Sequence, residues 1–193
     1  RGAFPRYHTP TGRINSQSYL GKKRKPEEGD VAWFGDADSV DPIIASLYYA
    51  ADRFAAVPEM LGIIDSGKHL VLDRYIESNM AHQGGKLPAT ERSDFFDFIE
   101  KLEYGLLGLP KPDKIIFLHM PTEFAMKLKG KSGEKLDTHE TDVNHLKNAE
   151  EIYLELTEKL GWKKIPCTVN GEIKTQEQIH EEICREIKDL FDS

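Results

Sequence analysis

Residues 70–86 read LVLDRYIESNMAHQGGK. An apolar run ends at Asp73 and gives way at once to charged, amide and imidazole side chains. HLVLD at 69–73 is one of three short apolar runs, with KIIFLHM at 114–120 and KKIPCTV at 163–169. Each is continuous rather than alternating, the pattern of parallel strands covered on both faces. Strands separated by helical patterns predict a layered α/β fold around a parallel sheet. Ligands of such sheets sit beyond the carboxyl ends of the strands. The polar cluster falls there: Asp73 and Arg74 close the strand, and the loop after them carries Ser78, Asn79, His82 and Gln83.

The helices between the runs have their own punctuation. DPIIASLYYAADRFAAV opens after Asp41 with Pro42 in the first turn, and PEMLGIIDSG repeats that arrangement before a glycine stop. Residues 91–107 and 138–160 carry long helical patterns, and PTEFAMKLK starts another helix at Pro121. Thr175 and Gln178 make a capping-box pattern, after which Ile179, Ile183, Ile187 and Leu190 mark one apolar face. The chain shows no internal repeat.

A chain of 193 residues fits a single domain, 1–193, with a sizeable core. Its formal net charge of −7 argues against a general grip on nucleic acid, so any anionic ligand must meet a local cluster of donors. The basic run KKRKPEEGD at 22–30 reads as a solvated loop. No apolar stretch is long enough to span a bilayer and the first residues lack a signal-peptide pattern, so the expectation is a soluble, cytoplasmic protein. Cys167 and Cys184 are too few for a disulfide framework and read as reduced, buried thiols. DTHETDVNHL at 137–146 has no HExxH spacing and reads as a solvated helix start rather than a metal site.

LVLDRYIESNMAHQGGK, followed by LGLPKPDKIIFLHMPTEFAMKL at 107–128, resembles the thymidylate kinases, which are nucleoside monophosphate kinases of the phosphate-loop class. The resemblance runs from FPRYHTPTG at 4–12 through ASLYYAADR at 45–53 to IHEEI at 179–183, nearly the whole chain. It implies a three-layer α/β/α fold of the P-loop kinase type and transfer of the ATP γ-phosphoryl group to dTMP with Mg²⁺, giving dTDP. Arg74 then corresponds to the arginine that grips the acceptor phosphate, where a planar fork of donors suits a tetrahedral anion. Arg6, with Phe4 beside it, is similar to a second acceptor-phosphate arginine. Asp73 matches the carboxylate that helps place Mg²⁺ through water, an ion that keeps its waters readily.

The resemblance also implies a base site. Tyr49 and Arg53 are four residues apart on one helix face; in the family this pair stacks on thymine and hydrogen-bonds its carbonyl. Asn79 falls where relatives face the pyrimidine with an amide, which offers a donor and an acceptor to the imide edge. Gln83 is four residues further on, and Ser78 supports the phosphate or the loop. His82 departs from the tyrosine or phenylalanine that many relatives carry under the sugar, which keeps another deoxynucleoside monophosphate open as substrate. KLKGKSGEKLDTHE at 127–140 looks like the lid that closes over ATP, with Lys127, Lys129, Lys131 and Lys135 but no arginine. Relatives are homodimers that pair through the helix containing 43–56, so a dimer is expected.

One element of the class does not occur in these residues: the strand, GxxxxGK[ST] turn and helix that hold the donor phosphates. In the family that strand lies between those corresponding to 69–73 and 114–120. Without it their inner edges lack partners, at on the order of 1–3 kcal/mol for each buried unpaired group. A catalytically inactive nucleotide-binding or assembly protein is the alternative reading. The expectation is that Arg1 is not the natural start and that about forty residues, a strand–loop–helix–strand unit, precede it. Reading the upstream frame for GxxxxGK[ST] checks this, and a genuine start codon just before RGAFPRY would defeat it.

Overall fold

The structure is a computed structural model that describes residues 1–22, 33–132 and 143–191, with 129–132 described by their backbone. The basic run at 23–30 and most of the proposed lid, including Lys135 and His139, lie outside the described residues. Contacts divide the chain into two compact units. The first comprises Arg1–Lys111 and the beginning of a long helix up to Ala149; the second comprises the residues from Pro112 and the rest of that helix onward.

In the first unit, β1 (Gly2–Ala3) pairs in parallel with β2 (Leu72–Asp73), in a register that sets Ala3 opposite Asp73. Phe4 N–H donates to the Asp73 carbonyl at 3.0 Å, so the segments leaving the two strands, Phe4–Arg6 and Arg74, start side by side. A short helix α1 (Pro10–Arg13), capped by Thr9, runs on into a π-helical turn over Ile14–Tyr19. Helix α2 (Pro42–Phe54) starts as its sequence demands: the Asp41 carboxylate accepts from the Ile43 and Ile44 N–H groups and Pro42 occupies the first turn. Helix α3 (Val57–Asp65) stops before Gly67, at φ 74°. Helices α4 (Ile76–Gly84) and α5 (Ala89–Glu100) pack on each other and α4 packs on α2, burying Ile76, Met80, Ala81, Phe95, Phe96 and Ile99.

The second unit holds β3 (Ile116–His119) parallel to β4 (Lys163–Pro166), α6 (Thr122–Ser132), the later turns of α7 (Val143–Leu160), and α8 (Gln176–Ile187). Phe117 stacks on Tyr153 at 4.9 Å, and Ile152, Leu156 and Ile165 are fully buried. The α8 capping box forms as read, Thr175 accepting from Gln178 N–H and Gln178 Oε1 accepting from Thr175 N–H. The apolar face of α8 is only half-buried.

The structure corrects several expectations. The loop after Arg74 is a helix, α4, and its polar side chains are largely buried. The run 163–169 is split: β4 ends at Pro166, and β5 (Thr168–Val169) turns back on β6 (Glu172–Ile173) in an antiparallel hairpin. Asn170 and Gly171 supply its two positive φ angles, the signature of a tight two-residue hairpin turn. The strands are not covered on both faces, since Val71 is 59 % and Leu118 43 % exposed. Among the described residues each strand pairs with a single partner. Cys167 is buried as expected, whereas Cys184 is exposed. The predicted helix at 91–107 leaves α-geometry at Lys101 and finishes as a π-helical turn to Leu106.

Lys86 ties the turn before α2 to the end of α4. Its ammonium donates to the Ala37 carbonyl at 2.6 Å, the Val40 carbonyl at 3.3 Å and Tyr19 Oη at 2.9 Å. Burial lowers its pKa from 10.5 to about 8, although Asp38, Asp36 and Asp41 pull upward. Above pH 8 the folded protein gives up this proton while the unfolded chain keeps it to about 10.5. The penalty for burying the charge is therefore relieved as pH rises through that window. Urea denaturation should show the stability of the native protein over Lys86→Met growing from pH 8 to 10, by no more than about 1 kcal/mol per pH unit.

Candidate active site

The site grows from the carboxyl ends of β1 and β2. Arg74 has φ 62°, a left-handed conformation that residues with a Cβ rarely hold outside functional or turn positions. Its exposed guanidinium meets His82 Nε2 through Nη1 at 3.3 Å. Asp73 is exposed too, with Arg1 Nη2 3.5 Å from Oδ2, a contact worth little in water. Tyr75, next in the chain, turns inward: its ring lies 5.9 Å from that of buried Phe4 and its hydroxyl donates to the Pro110 carbonyl at 3.1 Å.

Arg6 is arranged by a residue that the sequence reading passed over. Asp52, 1 % exposed on α2, accepts from Arg6 N–H at 2.7 Å, Thr11 Oγ1 at 2.8 Å and Thr9 Oγ1 at 3.2 Å. The same carboxylate stands 3.7 Å from Arg6 Nε, which is buried without a hydrogen bond. The remaining contacts of that guanidinium are long, 3.3 Å to the Asp52 carbonyl and 3.5 Å to Glu59. Arg6 is thus oriented but not saturated. Gly12 closes the loop tightly enough that a Cβ there would lie 1.9 Å from the Arg6 carbonyl oxygen.

The base-side residues fall into two groups. Tyr49 is half-buried and meets the Tyr19 ring edge-on at 5.6 Å. Arg53 is buried, and its Nε and Nη2 fork onto both oxygens of buried Glu103 at 2.5 Å, so only its remaining N–H groups can serve a ligand. Gln83 is buried as well and exchanges hydrogen bonds with the Tyr19 hydroxyl, a role in holding α4 to the π-turn. Asn79 differs from both: it is 4 % exposed, yet neither end of its amide has a hydrogen-bond partner. A buried amide with both ends unmade costs several kcal/mol in an apolar setting. A ligand that brings one donor and one acceptor removes that cost. Ser78 lies between Glu77 and Asn79 on α4 and is half-buried.

Beneath these groups lies a polar floor. Glu77 is buried and accepts from Tyr104 Oη at 2.8 Å; burial raises its carboxyl pKa, more than its backbone and Tyr104 hydrogen bonds lower it. Burial likewise raises the phenols of Tyr75, Tyr104 and Tyr19, keeping all three as hydrogen-bond donors. Two members reach their positions through π-turns: Glu103, and Asn15, whose amide donates to the Tyr48 carbonyl at 3.3 Å and whose oxygen is buried unbonded. Such turns collect at functional sites. Glu103 and Asn15 went unread because a π-turn has no sequence period, whereas Asp52, on the regular helix α2, was passed over although an aspartate between Ala51 and Arg53 was a signal of buried charge.

On the donor side, Lys127 lies on α6 with its ammonium 5.0 Å from the Phe124 ring centroid. Lys129 and Lys131 follow on the same helix. At the carboxyl end of β3, Glu150 accepts from His119 Nε2 at 2.8 Å, Thr122 N–H at 2.9 Å and Thr122 Oγ1 at 2.6 Å. Burial opposes its ionisation, but these hydrogen bonds outweigh burial and hold its pKa low. His145, read as part of a solvated helix start, is in fact buried against His82. Among the described residues no group of three or more His, Cys, Asp or Glu side chains could hold a metal ion.

A family model described as thymidylate kinase matches residues 33–183. The chain belongs to the thymidylate kinase family. Among curated thymidylate kinases it is 29 % identical over 165 residues to that of Mycobacterium tuberculosis, covering 83 % of this chain and 72 % of the relative. The human thymidylate kinase is 27 % identical over 180 residues, covering 93 % of this chain and 71 % of the relative. The solved thymidylate kinase of Candida albicans superposes with a TM-score of 0.71 at 18 % identity, covering 97 % of this chain and 78 % of that one, which shows the same α/β fold.

Because Asp52 is the carboxylate on which this family member's Arg6 loop converges, Asp52→Ala should destabilise the protein by about 3 kcal/mol in urea denaturation. Asp52→Asn retains one acceptor oxygen and should lose less. Equal stability of the alanine variant and the native protein would remove Asp52 from that role.

Proposed function

We propose that the intact protein phosphorylates dTMP to dTDP with ATP, as a thymidylate kinase. The observation that carries the acceptor half is Asn79, a buried amide on α4 with donor and acceptor both unmade. A thymine ring presents an imide N–H flanked by carbonyls and meets both needs at once. Tyr49 supplies a ring face for the base, and Arg53, steadied by Glu103, supplies an N–H to a carbonyl. Phe4 floors the loop that brings Arg6, Gln83 holds α4 from its buried side, and the half-buried Ser78 supports the phosphate or the loop.

Arg74 and Arg6 take the acceptor phosphate. Neither guanidinium is saturated by short hydrogen bonds, so both can turn donors onto an anion. Catalysis is then positioning and charge neutralisation, with Lys127, Lys129, Lys131 and Lys135 in the lid contributing positive charge on the donor side. The exposed Asp73 carboxylate, loosely met by Arg1, suits Mg²⁺ held through its own waters. Bound there, the ion would neutralise charge on the phosphate oxygens.

A homodimer fits the surface. Ile43, Ile44, Leu47 and Phe54 on α2 are 46–50 % exposed, and Leu61 and Ile64 on α3 are exposed beside them in sequence. Ile44, Leu47 and Phe54 recur at helical spacing, giving α2 an outward apolar stripe opposite its buried Ala45, Ser46 and Arg53. No helix among the described residues is long and apolar enough to cross a membrane, and a cytoplasmic setting supplies ATP and the acceptor together.

Asn79→Ala should weaken thymidylate binding to the intact protein by about ten- to a hundredfold in calorimetry, with little change for ATP. A monophosphate panel in which another deoxynucleotide turns over well and thymidylate does not would shift the substrate assignment. Leu47→Glu should convert the dimer to monomer in sedimentation equilibrium; an unchanged mass would place the interface elsewhere.

A further inference from the structure

Four side chains of the first unit stand in one line of contacts, each from a different element. Arg74 Nη1 lies 3.3 Å from His82 Nε2, at the end of β2 and on α4 respectively. His82 Nδ1 lies 3.1 Å from His145 Nε2 on α7, the two rings stacked at 5.3 Å with 12° between their planes. His145 Nδ1 lies 2.9 Å from Asp38 Oδ1, in the turn before α2. A guanidinium can only donate, so this first contact sets the sense of the series. His82 must accept at Nε2 and carry its proton on Nδ1; that proton goes to His145 Nε2, leaving the His145 proton on Nδ1, toward the Asp38 carboxylate. One neutral tautomer of each ring serves the first two links, and the third sets the His145 Nδ1 proton against the charge of Asp38 as an electrostatic contact.

We propose that His145 is a positioning residue for acceptor binding: it fixes the tautomer of His82, and His82 thereby holds the Arg74 guanidinium ready for the phosphate of the nucleoside monophosphate. The inference rests on the reading of Arg74 as an acceptor-phosphate ligand. An imidazole orients the guanidinium as a neutral acceptor, whereas a carboxylate in its place would neutralise charge that the phosphate needs. Holding an exposed arginine in advance also lowers the entropy lost on binding. The anchor is Asp38, next to which Lys86 contributes a positive charge and Asp36 a negative one. Among the described residues, the charged groups in contact with the two imidazoles include Arg74 at the end of β2 and Asp38 in the turn before α2, with the charges of Lys86 and Asp36 near Asp38.

The test is thymidylate binding to the intact protein by calorimetry, with variants that separate contact from packing. His145→Gln places an amide oxygen near the Nε2 position, able to accept from His82; His145→Asn keeps a polar group toward Asp38 and has no atom there. The asparagine variant should bind thymidylate about three- to tenfold more weakly than the native protein, and the glutamine variant should recover most of that loss. In a His82→Gln background, where an amide oxygen meets Arg74 directly, His145→Asn should cause no further loss. Protonating either ring sets N–H against N–H or against the guanidinium. Native affinity should therefore fall more steeply than that of His82→Gln as the pH is lowered; the titration of the ligand phosphate is common to both. Equal affinity of the asparagine variant and the native protein, or the same loss in the asparagine and glutamine variants, would overturn the positioning role. If the native protein itself gives no heat with thymidylate, the acceptor reading fails first and takes this inference with it.

Discussion

A carboxylate almost wholly removed from water, that of Asp52, joins the two segments on which the site depends. Its oxygens collect a backbone N–H from Arg6 and hydroxyls from Thr9 and Thr11, with the Arg6 guanidinium close by. A buried carboxylate without such donors would neutralise or force the fold open. The loop therefore closes onto α2 rather than sampling the wide ensemble open to a polar segment of its composition. Gly12 permits the closure, since any side chain there would strike the Arg6 carbonyl. Because Asp52 sits between Tyr49 and Arg53 on α2, the helix that carries the ring proposed for the base is also the one that fixes the Arg6 loop.

Charge in this unit is sorted by depth. Arg53 and Glu103 satisfy each other bidentately in the interior, an arrangement that secures geometry more than net stability. Glu77 and Tyr104 form a second buried pair, with burial biasing the carboxyl toward its neutral form. Nearer the surface the balance changes. Arg6 has long contacts, Arg74 a neutral acceptor, and the Asn79 amide no partner. Arg53, Glu103, Glu77 and Tyr104 are paired in the interior, whereas Arg6, Arg74 and Asn79, the residues proposed to meet the acceptor, are left with capacity. That gradient distinguishes a binding site from a polar core on physical grounds, since an unmade buried hydrogen bond costs more than a made one contributes.

What could be read from the sequence was what is decided locally. The Asp41 and Thr175 caps formed because each needs only a side-chain oxygen within three residues of an N–H. The Asp73–Arg74 pair closing the 69–73 run pointed to the candidate site because a polar pair closing an apolar strand has few structural uses. The α4 helix was taken for a loop, since a helix whose side chains serve a site on one side and a buried polar floor on the other shows little apolar period. Thr168–Val169 was absorbed into the apolar run 163–169, the strong two-residue hairpin signal Asn170–Gly171 just after it was passed over, and the hairpin β5–β6 went unread. Strand coverage was misjudged for a different reason. An apolar run reports what a strand can tolerate, while the exposure of Val71 and Leu118 depends on which neighbours lie alongside.

The two acceptor arginines are steadied by different chemistry, and the difference has a consequence for order of engagement. Arg6 stands among carboxylates, Asp52 and Glu59, whose attraction a phosphate must exceed before the guanidinium turns. Only Asp52 is buried, and it is already occupied by three other donors, so its hold on the Arg6 side chain is partial. Arg74 stands against the His82 imidazole rather than a carboxylate, and its positive charge is available at the exposed end of β2. Under the proposed roles, a dianionic phosphate approaching through water would meet the less neutralised cation first, and Arg6 would follow once the anion is near enough to compete with Glu59, which is solvent-exposed and weak as a partner. The histidine that replaces a ring under the sugar therefore changes more than the fit of the sugar: it sets how much charge the first arginine presents.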